Sequence, residues 1–243
     1  MRIKMEITGN TIEDAWRSAI VMCLRFGSDF LVRGGSYVGQ VRKQIDYVTI
    51  FVREPYIRPL SPILPPHLPQ TLTDDRIDEY FIGKIVGCEL SENQSYTYGQ
   101  FILPQLMRAI SLLISSNGGT NQATITVGDP NSIFLDDPPC MRAVSFKVIR
   151  GSLQMALYFR SWDLIAGLPE NLGGLQLLKE FVLSYLIDSG MGVKDGPIIA
   201  FSDGLHIYDQ YAAIAESLCL DLRWVIDPRV AQEKNDFIME SGI

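Results

Sequence analysis

Pro138-Pro139-Cys140 and, about twenty residues on, Arg160-Ser161-Trp162-Asp163 carry residue types that can do chemistry together. A thiol attacks as its thiolate, and a neighbouring guanidinium favours that form. Two prolines fix the backbone leading into Cys140. The apolar runs 141–149 and 152–160 flank Arg150-Gly151 and read as a hairpin. Such a hairpin brings Arg160 from the second strand to the side of Cys140. Each piece also has a plainer reading. A free cysteine is commonly a small buried hydrophobe, which suits Cys23 and Cys219, while Cys88 carries no signal. Arg160 and Asp163 can pair on a solvated loop, or Arg160 and Ser161 can both donate to one phosphate.

Two further groups stand downstream. His206 and Tyr208 are two apart, so on a strand they share a face and can reach a sugar hydroxyl. Gly167-Leu168-Pro169-Glu170-Asn171 forces a turn before a helix. Asn171 can cap that helix, or its amide can read a base edge through one donor and one acceptor. Upstream, Arg33 lies on the flexible turn Leu31-Val32-Arg33-Gly34-Gly35-Ser36.

The elements that must hold these residues are irregularly mixed. A short strand over 3–8 precedes a helix capped by Thr11, with Asp14 at the third helical position. Ile12, Trp16, Ala19, Ile20, Cys23 and Leu24 form its apolar face, and Gly27 stops it. A strand is expected over 44–52. Six prolines between 55 and 70 leave no regular element there. Helices follow over 74–86 and 105–115, then a strand over 123–127, the hairpin, and a helix over 175–186. Strands over 198–201 and 205–208, a helix over 210–218 and a strand over 221–225 complete the pattern. This is not a βαβ alternation but an α+β arrangement, one sheet with helices on it.

Composition narrows the function. The chain has 243 residues, room for one large domain without disulfide staples. The net charge of −7, with no basic tail, argues against a surface that tracks nucleic acid. Converging arginines can still bind a small anion. Four dispersed cysteines and two histidines are poor material for a metal site, and none is expected. The charged start and the lack of a long apolar run point away from a signal peptide or membrane span, so a cytoplasmic protein with free thiols is expected.

Pro-Pro-Cys140, Arg160-Ser161-x-Asp163, Gly167-x-Pro169-x-Asn171 and His206-Ile207-Tyr208, in this order, resemble the thymidylate synthase family, which is related to the pyrimidine nucleotide hydroxymethylases. The similarity runs from about Tyr96 to Tyr211. The first hundred residues match more loosely, and best the short, archaeal-like branch. The resemblance implies one α+β domain over 1–243, a mixed sheet with helices on one face, and a homodimer packed sheet to sheet. It implies a pyrimidine nucleoside monophosphate as substrate and 5,10-methylenetetrahydrofolate as cosubstrate. Cys140 then attacks C6 of uracil, and Arg160 supports the thiolate and contacts phosphate beside Ser161. Arg33 matches a loop arginine that closes on phosphate. Asn171 reads the O4/N3 edge, His206 and Tyr208 hold the sugar 3′ hydroxyl, Asp163 meets the pterin, and Tyr98 lies near C5. Glu79 is the choice for general base, with Glu54 in reserve.

The chain also departs from the bacterial pattern. Met141 replaces a histidine after the cysteine, and Phe159 replaces a glutamine before Arg-Ser. Asn121-Gln122-Ala123 stands where paired arginines reach across the dimer, and Asp203-Gly204 where Gly-Asp is usual. The closing C-terminal segment is not recognisable over 236–243. Three functions stay open: methylation of dUMP, hydroxymethylation of a pyrimidine nucleotide, and nucleotide binding without catalysis. Asn171 tilts the base toward uracil.

Overall fold

Thr11 and Asp14 start the first helix as their spacing predicts. The Asp14 amide donates to the Thr11 hydroxyl and the Thr11 amide to the Asp14 carboxylate, each at 3.1 Å. The helix, α1 (Ile12–Phe26), ends at Gly27 and buries Ile12, Trp16, Ala19, Ile20 and Cys23. The computed structural model describes residues 5–35, 37–90 and 95–219. The strand expected over 221–225 and the C-terminal segment over 236–243 lie outside them.

The sheet has eight strands: β1 (Glu6–Gly9), β2 (Ser28–Leu31), β3 (Val41–Val52), β4 (Thr124–Thr126), β5 (Met141–Ile149), β6 (Ser152–Phe159), β7 (Trp162–Asp163) and β8 (Lys194–Tyr208). The main order is β1-β3-β8-β6-β5-β4, with β2 beside β3 and β7 beside β8. β1/β3, β6/β8 and β7/β8 are parallel and the other pairs antiparallel, so the sheet is mixed. The hairpin turns at Arg150 and Gly151, with φ of 52° and 73°. Two left-handed residues match the twist of a tight hairpin.

The remaining helices are α2 (Asp74–Tyr80), α3 (Gly99–Ser115), α4 (Leu168–Asp188) and α5 (Ala212–Cys219). α2 continues into a π-turn over Phe81–Ile85. α1, α3 and α4 pack on the sheet, and one continuous apolar core includes Trp16, Ile50, Phe146, Leu175 and Ile198.

Several elements are longer than the sequence pattern suggests. β3 begins at Val41, three residues before the expected start. α3 runs through Pro104, since a proline in the second turn forfeits only one helical hydrogen bond. The two strands expected over 198–208 are one strand, because Asp203-Gly204 does not turn. Gly204 passes against the Gln44 side chain, and Asp203 accepts from the Tyr158 hydroxyl at 2.6 Å. β2 had no signal in the sequence.

α4 approaches α2 through two glycines. A Cβ on Gly173 would lie 2.7 Å from Ile77, and one on Gly174 2.7 Å from the Tyr80 ring. Gly174→Ala should therefore destabilise the chain by about 1–3 kcal/mol in urea unfolding, outweighing the gain in helix propensity. In a Tyr80→Ala background the same substitution should be neutral or stabilising. An equal cost in both backgrounds would disprove the packing argument.

Candidate active site

The hairpin register sets the site. A bulge at Arg142 shifts the pairing by one residue, so Met141 pairs with Phe159 and Cys140 and Arg160 face each other just beyond that last apolar pair. The Arg160 amide donates to the Cys140 carbonyl at 2.8 Å. Met141 and Phe159 are buried beneath them, and Phe159 stacks on Trp162 with ring centroids 3.8 Å apart. The two departures flanking the motifs are thus apolar floor.

Pro138 and Pro139 have no N–H, and their carbonyls turn to the arginine. Arg160 Nε donates to the Pro139 carbonyl at 3.2 Å, and one terminal nitrogen donates to Pro138 and to Asp137. Asp137 lies 3.1 Å away as an ion pair. Asp137 therefore opposes the Cys140 thiolate twice, by its own charge and by occupying Arg160. Burial, more than Asp137, pushes the thiol above its ordinary 9.0, against the pull of Arg160 and Arg42.

Three strands meet over this hairpin end. β8 runs between β3 and β7, pairing Tyr208 with Arg42 and His206 with Asp163. Cys140, Arg160, Ser161, Asp163, His206 and Tyr208 line one cavity of about 360 Å³ with Arg42, Tyr37, Val32, Gly34 and Gly35. His206 donates from Nδ1 to the Gly204 carbonyl at 3.1 Å, and its Nε2 faces Arg42 at 3.4 Å. Burial and the Arg42 charge push its pKa down to about 3, so the ring is neutral with Nε2 as acceptor. Asp163 Oδ1 accepts from the Ile165 and Ala166 amides at 2.8 and 3.2 Å, and burial raises its pKa. The turn beneath it is tied to α1, since Trp16 Nε1 donates to the Leu164 carbonyl at 2.5 Å.

A second cavity, about 650 Å³, opens on the other side of Asp136 and Asp137, which line both. Its walls include Glu79, Tyr80, Tyr96, Tyr98, Arg76 and Glu170. Desolvation pushes the Tyr96 phenol up to about 12 and holds Tyr98 well above 10.0, with Cys140 contributing to both. Both phenols are therefore protonated near neutral pH and can serve as donors.

Not every expected residue converges. Glu79 and Tyr98 line the larger cavity and Cys140 the smaller. Arg33 is exposed and outside both linings, although its neighbours roof the smaller one. Glu54 is exposed, outside both linings, and accepts from Tyr56. Asn171 lines neither. Its Oδ1 accepts from Trp162 Nε1 at 2.8 Å and its Nδ2 donates to the Tyr80 hydroxyl at 2.7 Å. An indole is a donor only, so Trp162 fixes which way the amide points. Sequence reasoning missed Arg42, Asp137 and Tyr80. Arg42 was within reach of it: β3 extended by one turn signal upstream places an arginine on the strand that ends beside Tyr208.

A sheet end that presents a cysteine, two arginines and a histidine to an open cleft, next to a second one walled by tyrosines, suits a transferase. Residues 79–223 match the thymidylate synthase family model, and the chain belongs to that family. It is 27% identical over 218 residues to a Methanosarcina barkeri protein named "Putative thymidylate synthase", covering 87% of this chain and 93% of the relative. A protein of the same name from Methanothermobacter marburgensis is 28% identical over 220 residues, 84% of this chain and 93% of the relative. The varicella-zoster virus thymidylate synthase is 32% identical over 123 residues, 50% of this chain and 38% of the viral protein.

The raised thiol pKa gives a signed expectation. Alkylation of Cys140, followed by peptide mass mapping, should be slow at pH 7 and still climbing above pH 9, because the thiolate forms only as pH passes the raised value. Asp137→Asn should speed alkylation at pH 7 by about 3- to 10-fold, up to one pKa unit. Slower alkylation in that variant would show that Asp137 assists the thiolate rather than opposing it.

Proposed function

We propose that the protein transfers a one-carbon unit to C5 of a uracil nucleotide, converting dUMP to dTMP with 5,10-methylenetetrahydrofolate. The observation that carries this reading is the end of the hairpin, which puts Cys140 and Arg160 together in the smaller of two cavities that share Asp136 and Asp137. The chain, 1–243, acts in this reading as one thymidylate-synthase-like domain. The smaller cavity takes the nucleotide and the larger, walled by tyrosines, the folate.

Cys140 Sγ forms a bond to C6 of the ring, and the C5–C6 π electrons move toward the C4 carbonyl. The family resemblance gives Asn171 the O4 edge, with Nδ2 as the donor that Trp162 leaves; reaching O4 requires Nδ2 to use its second hydrogen or to leave Tyr80, since the residue lines neither cavity here. That orientation favours uracil over cytosine, whose 4-amino group needs an acceptor. His206 and Tyr208 hold the sugar hydroxyl. Arg160 and Ser161 hold the phosphate, with Arg33 closing from the loop. The folate supplies the methylene carbon and, for methylation, the hydride. Asp163 orients the pterin, Tyr98 stands where the C5 proton leaves, and Glu79 is the general base that moves protons through water. When the sulfur departs, the C5–C6 double bond re-forms and the enzyme is restored.

A second reading, 5-hydroxymethylation of a pyrimidine nucleotide, draws support from the carboxylates of Asp136 and Asp137 where the cavities meet. They keep water near the point at which the new methylene group would emerge, so water can add in place of hydride. In either reading the chain works as a homodimer. Tyr47 and Phe201, 65% and 37% exposed, lie on the sheet next to Tyr158. Such aromatic surface is costly to leave in water.

Incubation with dUMP or dCMP and methylenetetrahydrofolate separates the readings by product mass. A methyl product with dihydrofolate is expected. A hydroxymethyl product with tetrahydrofolate would establish the second reading instead. Cys140→Ser should abolish tritium release from C5 while nucleotide binding persists, and turnover in that variant would remove the proposed nucleophile. Sedimentation should show a dimer that Tyr47→Asp converts to monomer; a monomeric parent chain would refute the sheet-to-sheet assembly.

A further inference from the structure

Arg42 has no part in the scheme above, yet it is the better placed of the cavity's two arginines to receive a ligand. It lies on β3, half-buried, and its Nη1 is within 3.4 Å of His206 Nε2 and 3.5 Å of the Tyr208 hydroxyl. Its guanidinium lies 4.8 Å from the centre of the Phe30 ring and 5.9 Å from that of Tyr208. Its Nε is buried with no hydrogen-bond partner among the described residues. Among the described residues no carboxylate lies within ion-pair distance of it, whereas Arg160 is paired with Asp137. The buried Nε is shut off from the cavity, so a ligand would be met by the terminal nitrogens of Arg42, and a guanidinium half-buried without a counter-anion is costly.

The cavity also contains Asp136, Asp137 and Asp163. Asp163 accepts two backbone amides through one oxygen and Asp137 pairs with Arg160, so neither carboxylate is bonded to Arg42, although the Asp163 charge acts on it. The groups that face Arg42 most closely are neutral: His206, whose pKa lies near 3, and the Tyr208 phenol.

We propose that Arg42 is an anion-binding residue, and that with Arg160 and Ser161 it grips the substrate phosphate from within the same chain. Arg42 on β3 and Arg160 just after β6 line the same cavity, so both cations come from one chain. Naming the anion as a nucleotide's phosphate rests on the function proposed above; the anion site itself does not.

The test uses the full chain and two probes. The first is inorganic phosphate against chloride at equal ionic strength, read as a rise in melting temperature. The parent chain should be stabilised, Arg42→Gln should lose most of the rise, and Arg42→Lys should keep part, because an ammonium has the charge without the fork. The second compares dUMP with deoxyuridine by calorimetry. Arg42→Gln should weaken dUMP by about 10- to 100-fold, the span of a charge-assisted contact, and leave deoxyuridine unchanged. Arg42→Lys should give a smaller loss and serves if the glutamine variant does not fold.

An undiminished phosphate response in both variants overturns the proposal, as does a parent chain with none. Equal weakening of dUMP and deoxyuridine also overturns it, since Arg42 would then only orient His206 and Tyr208. An Arg42-dependent phosphate response in a chain that binds no pyrimidine nucleotide upholds the anion site and defeats the nucleotide reading.

Discussion

Everything at the site depends on one contact across the open end of a hairpin, the 2.8 Å hydrogen bond from the Arg160 amide to the Cys140 carbonyl. A tight turn at Arg150-Gly151 sets the register as far as Ala143–Tyr158, and a bulge at Arg142 then shifts it by one residue, so that Cys140 meets Arg160 and not Ser161. With Met141 and Phe159 anchored in the core, Cys140 and Arg160 have no alternative partner. The prolines complete the arrangement from the opposite direction. Lacking N–H groups, they leave the sheet ladder, and their carbonyls become the inner ligands of the guanidinium. The same few residues thus set both where the sulfur lies and which way the positive charge points.

Charge at this end of the sheet is governed by desolvation as much as by pairing. Burial raises the Cys140 thiol and the tyrosines around it and lowers His206, so each of these groups is held neutral. The charges that persist are the two arginines and the carboxylates held by backbone amides or by Arg160. A neutral His206 can accept from Arg42, where a protonated one would repel it. Arg42 and the unprotonated imidazole therefore stabilise each other's state, and the strand pairing of β3 with β8 is what puts them together.

How much of this was legible follows from the range of each signal. The Thr11–Asp14 cap, the Arg150-Gly151 turn and the apolar stripe of α1 are local, and the structure reproduces them. The family motifs were readable because their residues are short-range clusters in a fixed order. Arg42 was not, since its meaning arises from Tyr208, 166 positions away across two strands. Asp203-Gly204 looked like a turn because glycine next to aspartate usually is one; only the neighbours Gln44 and Tyr158 keep the strand straight. The start of α3 was placed late because Pro104 reads as a stop, whereas a long apolar face carries the helix past it. Asn171, expected to cap a helix after its turn, lies inside the first turn of α4, which begins at Leu168 with no side-chain cap; the indole and phenol that orient it lie on β7 and α2 and leave no trace in the local sequence.

The Asp137–Arg160 pair explains how such a site can be stable without substrate and still open to it. Their side chains are 52% and 33% exposed, so the pair is screened by water and worth about 0–1 kcal/mol. A phosphate offers Arg160 more acceptor oxygens than a carboxylate does, and it meets Arg42 at the same time. Exchange of Asp137 for phosphate is then a replacement of one anion by a better one, with little cost in lost contacts. The phosphate then stands where Asp137 stood, an anion on the same guanidinium, so the exchange by itself does not relieve the thiolate. Burial is the larger cause of the raised thiol pKa, and in the proposed reading the sulfur is activated by what the bound ring does to that burial and not by the loss of Asp137.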